Sequence, residues 1–216
     1  MKDRFDLLVF DWDGTLVDSI GWIVESLDFA ARDQGFEEPA NRLARSVIGL
    51  SLDRALGTLF PQAGQSEIGA LMDSYQRHYN SKPLGPGALF AGVPEMLDAL
   101  REAGYKLAVA TGKTREGLDH ALRTTAAEDW FHATRAAGET ASKPDPLMLL
   151  QLLAELDVPA DRTLMVGDSV HDMQMAKNAG IEAVGVFCGA DGRDQILPHQ
   201  PLLGLGRTVE LLDFLL

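Results

Sequence analysis

The sequence predicts an α/β protein, a parallel sheet with helices on both faces, into which an all-helical segment is inserted. From residue 92 onward, apolar runs of strand length alternate with amphipathic helical stretches, as in chains of βαβ units. These runs are continuously apolar, which is typical of strands buried on both faces of a parallel sheet. Residues 19–82, by contrast, contain helical patterns and no convincing strand run.

Composition and charge exclude several classes of partner. The 216 residues are 46% hydrophobic and 24% charged, as in an ordinary globular protein with one domain or one domain plus an inserted module. A net charge of −13 disfavours nucleic acid and anionic lipid, and an anionic substrate would need a metal or nearby Lys and Arg. The single Cys188 fits a reducing compartment, and no apolar run approaches the roughly 18–20 residues that span a bilayer. We expect a cytoplasmic monomer or homodimer without nucleic acid or membrane partners.

The first strand, predicted at residues 7–10, is followed by two aspartates, Asp11 and Asp13, and then by Gly14 and Thr15. Ligands of open α/β sheets bind just beyond the carboxyl ends of the strands. Two carboxylates so close together repel each other unless a cation lies between them, and Mg²⁺ prefers carboxylate and phosphate oxygens. Taken alone, the stretch also fits a simple turn at Asp13 and Gly14.

The helical insert follows directly. Ser19 is a plausible N-cap for a helix that ends before Gly35, and further helices are predicted at residues 41–48, 51–60 and 67–79. A cluster of Pro and Gly at residues 83–87 predicts a boundary that acts as a hinge. We therefore assign residues 16–85 to a helical cap, and residues 1–15 and 86–216 to the core.

The remaining elements alternate along the core. Strands are predicted at residues 105–110, 132–136, 163–166 and 183–187, and helices at residues 93–103, 115–125, 147–156 and 208–216. A further helix follows the motif at residues 167–172 and ends at residues 179–180, and a short helix is expected inside 189–201. Parallel strands place their carboxyl ends on one edge. That edge should collect the polar residues that follow the strands, namely Asp11, Asp13, Thr111, Lys143, Asp168 and Asp172. Several carboxylates with a hydroxyl and a lysine suit phosphoryl transfer better than Ser/His/Asp hydrolysis, and no Gly-x-Ser-x-Gly motif is present.

These residues resemble the four motifs of the haloacid-dehalogenase superfamily. The motifs read Asp11-Trp12-Asp13-Gly14-Thr15, Thr111, Lys143-Pro144 and Gly167-Asp168-Ser169-x-x-Asp172, in the family's order. The insert after the first motif resembles the family's type-one cap, and the nearest resemblance is to phosphoglycolate-phosphatase-like hydrolases. The resemblance implies a Rossmann-like core and a Mg²⁺-dependent phosphatase that hydrolyses a small phosphorylated metabolite through an aspartyl phosphate.

The resemblance also implies a role for each motif residue. Asp11 would be the nucleophile, and Asp13 the acid that protonates the leaving oxygen and then the base that activates water. Thr111 and the Gly112 amide would bind the phosphoryl group, and Lys143 would hold it against the nucleophile. Mg²⁺ would be bound by Asp11, the Asp13 carbonyl and Asp168, with Asp172 as a ligand or as a partner of a ligand.

Specificity residues are expected in the cap. The resemblance places a substrate-facing loop at Gly49-Leu50-Ser51, between two predicted helices. Three arginines that flank this loop could bind a substrate carboxylate, although each also fits an ordinary solvated helix face: Arg42, Arg45 and Arg54. Lys113 could contact the substrate or solvent, and His171 is expected at the surface.

Four alternative functions differ in the residues that they require. Dehalogenases lack the second aspartate of the first motif, so Asp13 argues against them. Phosphonatases use a cap lysine, and between Thr15 and Leu84 the only lysine is Lys82. A sugar phosphomutase of the β-phosphoglucomutase type shares every core motif and stays open. A non-catalytic phosphate-ligand sensor is disfavoured because a binder would not need Asp13.

Overall fold

A computed structural model describes residues 4–82 and 84–216. Pro83, part of the predicted boundary at residues 83–87, lies outside the described residues. Within the described part, the chain forms a six-stranded parallel sheet in the order β3-β2-β1-β4-β5-β6, which confirms the predicted α/β class. The strands are β1 (Leu7–Phe10), β2 (Lys106–Thr114), β3 (Ala133–Ala137), β4 (Thr163–Gly167), β5 (Glu182–Val186) and β6 (Leu203–Leu205).

The helices follow the predicted alternation closely. They are α1 (Ile20–Asp33), α2 (Asn41–Ser46), α3 (Leu52–Leu59), α4 (Gln65–Tyr79), α5 (Val93–Glu102), α6 (Arg115–Thr125), α7 (Leu147–Leu156), α8 (Val170–Asn178), α9 (Arg193–Ile196) and α10 (Leu211–Leu215). None of the helices in the described ranges combines the length and the apolar character needed to cross a bilayer.

The central strand β1 is buried on both faces, as its continuous apolar run requires. Because successive side chains of a strand point to opposite faces, Leu8 and Phe10 enter one apolar cluster while Leu7 and Val9 enter the other. The first cluster packs beneath α5, α6 and α10, and the second packs beneath α7 and α8. Helices thus cover both faces of the sheet. The edge formed by the carboxyl ends of the strands remains available for ligands.

Helices α1 to α4, here called the α1–α4 layer, surround a third apolar cluster. The chain enters and leaves this layer side by side, since Val17 and Leu89 form an antiparallel bridge and the Phe90 amide donates to the Leu16 carbonyl at 3.0 Å. This pairing suits an insert that begins and ends at one place on the core. The division into a cap of residues 16–85 and a core stays a prediction.

Two strands differ from the predicted pattern. β2 continues through Thr111 to Thr114, because Thr114 pairs with Ala137 of β3 beyond a shift in register. β6, a three-residue edge strand with a central glycine, was not predicted, and its short Leu-Gly-Leu sequence gives no strand periodicity. The predicted final helix is shorter than expected, since residues 208–210 form a 3₁₀ turn before α10.

Candidate active site

The sheet order brings three of the predicted motifs together. β1 pairs with β2 on one side and with β4 on the other, with Phe10 level with both Val109 and Val166. The Asp11 amide donates to the Val166 carbonyl at 2.9 Å, so the residues that follow β1, Val109 of β2 and β4 emerge at the same edge. Asp11, Thr111 and Asp168 therefore lie near one another although they are far apart in the sequence.

Lys143 connects the first motif to the last. Its ammonium nitrogen lies 2.7 Å from Asp11 Oδ1 and 2.7 Å from Asp172 Oδ1, and all three side chains are buried. The other oxygen of Asp172 accepts from the amide and the hydroxyl of Ser169, which caps α8. Burial alone would lower the pKa of Lys143, but the carboxylates of Asp11 and Asp172 raise it above its ordinary value. The two carboxylates thus favour the charged form of Lys143.

The carboxyl groups of Asp11 and Asp168 are harder to ionise than exposed ones. Burial raises the pKa of Asp11 to about 7, with Lys143 opposing the shift and the neighbouring Asp172 and Asp13 adding to it. Burial, with Asp11 and Asp172 nearby, also raises the pKa of Asp168 well above its ordinary value. A site with this surplus of carboxylates needs a further cation in order to hold them all ionised at neutral pH.

Asp168 is held by groups from two loops. Its Oδ1 accepts from the Thr15 hydroxyl at 2.8 Å, and its Oδ2 accepts from the Ala190 amide at 2.6 Å. Gly14 and Gly189 press against this carboxylate, because a Cβ atom at either position would overlap it. The two glycines therefore form a close-fitting cradle around the Asp168 side chain.

The donor set fits Mg²⁺. Asp11, Asp168 and Asp172 each offer a carboxylate oxygen, these oxygens lie within 4.8 Å of one another, and all three residues are buried. Hard oxygen donors of this kind suit Mg²⁺, which is bound in proteins through one or two carboxylates, water and substrate phosphate. Lys143 supplies one positive charge against three negative ones, so the surplus of two matches a divalent cation. Asp172 already uses both oxygens, which favours its role as a partner of Lys143.

Asp13 has surroundings unlike those of Asp11. Its Oδ1 accepts from the Ser19 hydroxyl at 2.6 Å, and its Oδ2 lies 3.1 Å from the ammonium nitrogen of Lys113. Lys113 also donates to the hydroxyl of Tyr79, on α4, at 2.8 Å. Ser19 precedes α1 as predicted, but its side chain makes no capping bond because it is directed to Asp13. Lys113 contacts Asp13 and the α1–α4 layer.

Thr111 and Gly112 lie beside the α1–α4 layer. Thr111 is buried, and its hydroxyl accepts from the Lys113 amide at 3.2 Å. A Cβ atom on Gly112 would lie 2.7 Å from the Gly49 carbonyl oxygen and nearer still to that of Leu50. Only glycine allows this approach between the core and the loop that follows α2.

A cavity of about 420 Å³ opens above the strand ends. Asp11, Asp13 and Thr111 line one end of it. The other lining residues come from the α1–α4 layer and its loops, from the end of β2 and from α6, with Leu84. Of the predicted substrate-facing loop, Gly49 and Leu50 line the cavity. Ser51 is not among the lining residues, and its amide donates to the Ser142 hydroxyl at 2.9 Å.

None of the three arginines near this loop lines the cavity. The Arg45 guanidinium donates to the carbonyls of Gly189 at 2.5 Å and Ala190 at 3.2 Å, so it ties α2 to the core loop beside Asp168. Arg42 and Arg54 are exposed, and their positions fit the alternative of solvated helix faces.

His171, which the sequence places at the surface, is half-buried. One of its ring nitrogens lies 2.9 Å from the Ser46 carbonyl oxygen, so the side chain contacts the end of α2.

Comparison with known proteins identifies the family. The model of the haloacid dehalogenase-like hydrolases matches residues 8–186. The chain is 37% identical over 199 residues to a protein of Dickeya dadantii (strain 3937) named "Probable phosphatase IndB", covering 90% of this chain and 86% of that protein. It is 28% identical to a phosphoglycolate phosphatase of Vibrio vulnificus (strain YJ016), covering 100% of this chain and 98% of that protein.

A solved structure supports the same assignment. The crystal structure of a predicted phosphoglycolate phosphatase from Haemophilus somnus 129pt superposes with a TM-score of 0.84 at 25% sequence identity, covering 98% of both chains. The family model alone spans well over half of the sequence. The chain therefore belongs to the haloacid dehalogenase-like hydrolase family.

Proposed function

We propose that this protein is a Mg²⁺-dependent phosphatase that hydrolyses a small phosphorylated metabolite through an aspartyl phosphate on Asp11. One observation carries the proposal: the Asp11 carboxylate lies at the end of the cavity, paired with Lys143 at 2.7 Å and within 4.8 Å of further carboxylate oxygens. This arrangement combines a nucleophile, a fixed cation and oxygen donors for a metal. Relatives that are named phosphatases support the same reaction.

In the first half of the reaction, Asp11 attacks the phosphorus atom in line with the ester oxygen. A bond forms between Asp11 and phosphorus while the ester P–O bond breaks, and Asp13, in its protonated form, gives its proton to the departing oxygen. The Thr111 hydroxyl and the Gly112 amide donate to the phosphoryl oxygens, and Lys143 compensates their charge. When bound by Asp11, Asp168 and the Asp13 carbonyl, Mg²⁺ would neutralise further negative charge on the phosphoryl group.

In the second half, water replaces the departed alcohol. Asp13, now ionised, takes a proton from this water, whose oxygen attacks phosphorus and releases inorganic phosphate and the free Asp11 carboxylate. Ser19 and Lys113 hold the two oxygens of Asp13, so its carboxylate is oriented without contacting Lys143. The two aspartates thus perform different tasks because they have different partners.

The volume of the cavity and the net charge of the protein favour a small metabolite as the substrate. A cavity of about 420 Å³ lies near the lower end of the range for small-molecule pockets. The net charge of −13 disfavours nucleic acids. We keep a cytoplasmic location and a monomeric or homodimeric state as proposals.

The metal requirement can be tested with 4-nitrophenyl phosphate and the purified protein. We expect a chelator to abolish hydrolysis and added Mg²⁺ to restore it, with Asp11→Asn inactive under both conditions. Asp18→Asn is the matched control, because Asp18 is an exposed aspartate a short distance along the same segment. Full activity in chelator would refute the metal assignment, and an active Asp11→Asn variant would refute the nucleophile.

A further inference from the structure

The wall of the cavity opposite the reacting end is apolar. It is formed by side chains of the α1–α4 layer, among them Ile23, Leu27, Val47, Ile48, Leu52 and Ala55. All of these except Leu52 are buried, so their methyl groups are directed inward and not toward solvent. The organic part of a substrate that occupies this cavity must lie against these groups.

Little positive charge is available to a substrate carboxylate. The ionisable side chains that line the cavity are Asp11, Asp13, Lys113, Glu116 and His120; among the described residues, Lys113 is the one lysine or arginine in this lining. Lys113 is already paired with Asp13 at 3.1 Å and donates to the Tyr79 hydroxyl at 2.8 Å. Moving a carboxylate from water to an apolar site without a counter-charge is costly.

Aromatic rings add a flat surface to the same wall. Tyr75 and Tyr79 lie one turn apart on α4, with ring centroids 5.6 Å apart and planes 16° from parallel. Both line the cavity, together with the uncharged polar side chains of Gln76 and Asn80. The wall can therefore bind an apolar or aromatic group with a few polar atoms, and its aliphatic side chains offer no partners to the hydroxyls of a sugar.

We propose that the natural substrate is a phosphate monoester whose organic part is uncharged and mostly apolar, an aryl or alkyl alcohol in place of a carboxylate or a polyhydroxylated sugar. This inference rests on the proposed phosphatase function and narrows its substrate class. It differs from the activity for which the phosphoglycolate phosphatases among the relatives are named. Its basis is the apolar wall together with the commitment of Arg45 and Lys113 to partners within the protein.

The first test compares three alkyl phosphates of similar size: propyl phosphate, glycerol 1-phosphate and phosphoglycolate. We expect kcat/KM for propyl phosphate to exceed both others by at least tenfold, because only its organic part needs no polar partner. Equal values, or a preference for phosphoglycolate or glycerol 1-phosphate, would overturn the inference while the phosphatase function stands.

A second test reverses the preference. Leu52→Lys places a cation on the partly exposed rim of the wall, and we expect it to raise kcat/KM for phosphoglycolate and lower it for propyl phosphate. Leu43→Lys is the matched control, since Leu43 is an exposed leucine of α2 outside the cavity. An unchanged ratio in Leu52→Lys, or an equal change in both variants, would contradict the inference.

A binding measurement separates this inference from the proposed function. Calorimetric titration of Asp11→Asn with the three phosphates requires no turnover, and we expect the same order of affinity. If the native protein hydrolyses none of the three phosphates, the proposed function fails. The order of their affinities for Asp11→Asn then decides the inference by itself. Tighter binding of phosphoglycolate than of propyl phosphate would overturn it.

Discussion

At the scale of single residues, Lys143 combines complete burial with a positive charge. Among the residues that the structure describes, its fully buried ammonium group is paired with two carboxylates at 2.7 Å, those of Asp11 and Asp172. Removing one partner of a buried ion pair leaves an uncompensated charge, which usually costs more than the pair itself contributes. The lysine that orients the nucleophile is thus also required for the stability of the site.

We expect Lys143→Met to lower the free energy of unfolding, measured in chelator, by about 3–5 kcal/mol. Urea denaturation followed by circular dichroism measures this loss. Adding Asp172→Asn should restore part of it, because the double variant no longer buries an unpaired Asp172 carboxylate. Lys177→Met, on the exposed face of α8, is the control. A Lys143→Met protein as stable as Lys177→Met would contradict this account.

The sequence predicts which charged residues lie together at the candidate site, but it does not indicate several of their hydrogen-bonding partners. Thr15 lay within a recognised motif, but its bond to Asp168 depends on a turn that the sequence does not specify. Ser19 fitted an N-cap and instead donates to Asp13. Tyr79 is one of several aromatic residues of α4, and only the packing of that helix brings its hydroxyl to Lys113.

At the scale of elements, the loop after α2 rests directly on the end of β2. The carbonyls of Gly49 and Leu50 leave no room for a side chain on Gly112. Gly49 itself has a φ of 97°, a conformation that favours glycine. Two glycines thus allow the α1–α4 layer to contact the core beside Thr111.

We expect Gly112→Ala to reduce kcat/KM at least tenfold, which corresponds to about 1.4 kcal/mol of transition-state stabilisation. The new methyl group meets backbone carbonyls that cannot move unless the α1–α4 layer is displaced, while the amide that would contact the phosphoryl group is retained. Steady-state kinetics and a melting curve measure the two effects. In Gly21→Ala the added methyl group meets open space on α1, so this control should keep native activity. Native kcat/KM in Gly112→Ala would show that the contact has no functional role.

Elements with strong periodicity were predicted well, and short or edge elements were not. α6 and α7 begin and end where their apolar spacing indicates. β6 has three residues and pairs with β5 alone, so its existence depends on a neighbour and not on its own pattern. The extension of β2 likewise depends on the pairing of Thr114 with Ala137.

At the scale of the whole molecule, an acidic protein is proposed to bind an anionic substrate. The net charge of −13 gives no general attraction for a phosphate, so binding depends on local groups: Lys143, the amides near Thr111 and the proposed metal site. Because Lys143, Asp11, Asp168 and Asp172 are buried, their charges act in surroundings with little water.

The packing of the α1–α4 layer on the core was the feature least accessible from the sequence. Helical spacing predicts which side chains are apolar, but it does not indicate which of them face the cavity. Arg45 fitted a substrate ligand by its place in the sequence, and its bonds to Gly189 and Ala190 appear only in three dimensions. The same packing produced the apolar wall from which the substrate class is inferred.

The most direct test of the account is to locate the phosphoryl group during turnover. Asp13→Asn should form the aspartyl phosphate and hydrolyse it slowly, because water then lacks its base. The variant is mixed with substrate and Mg²⁺, quenched in acid and digested with pepsin, since acyl phosphates hydrolyse in base. Mass spectrometry should find one phosphoryl group, on Asp11, that decays more slowly than in the native enzyme. A phosphoryl group on any other residue, or its absence from both proteins during active turnover, would contradict the account.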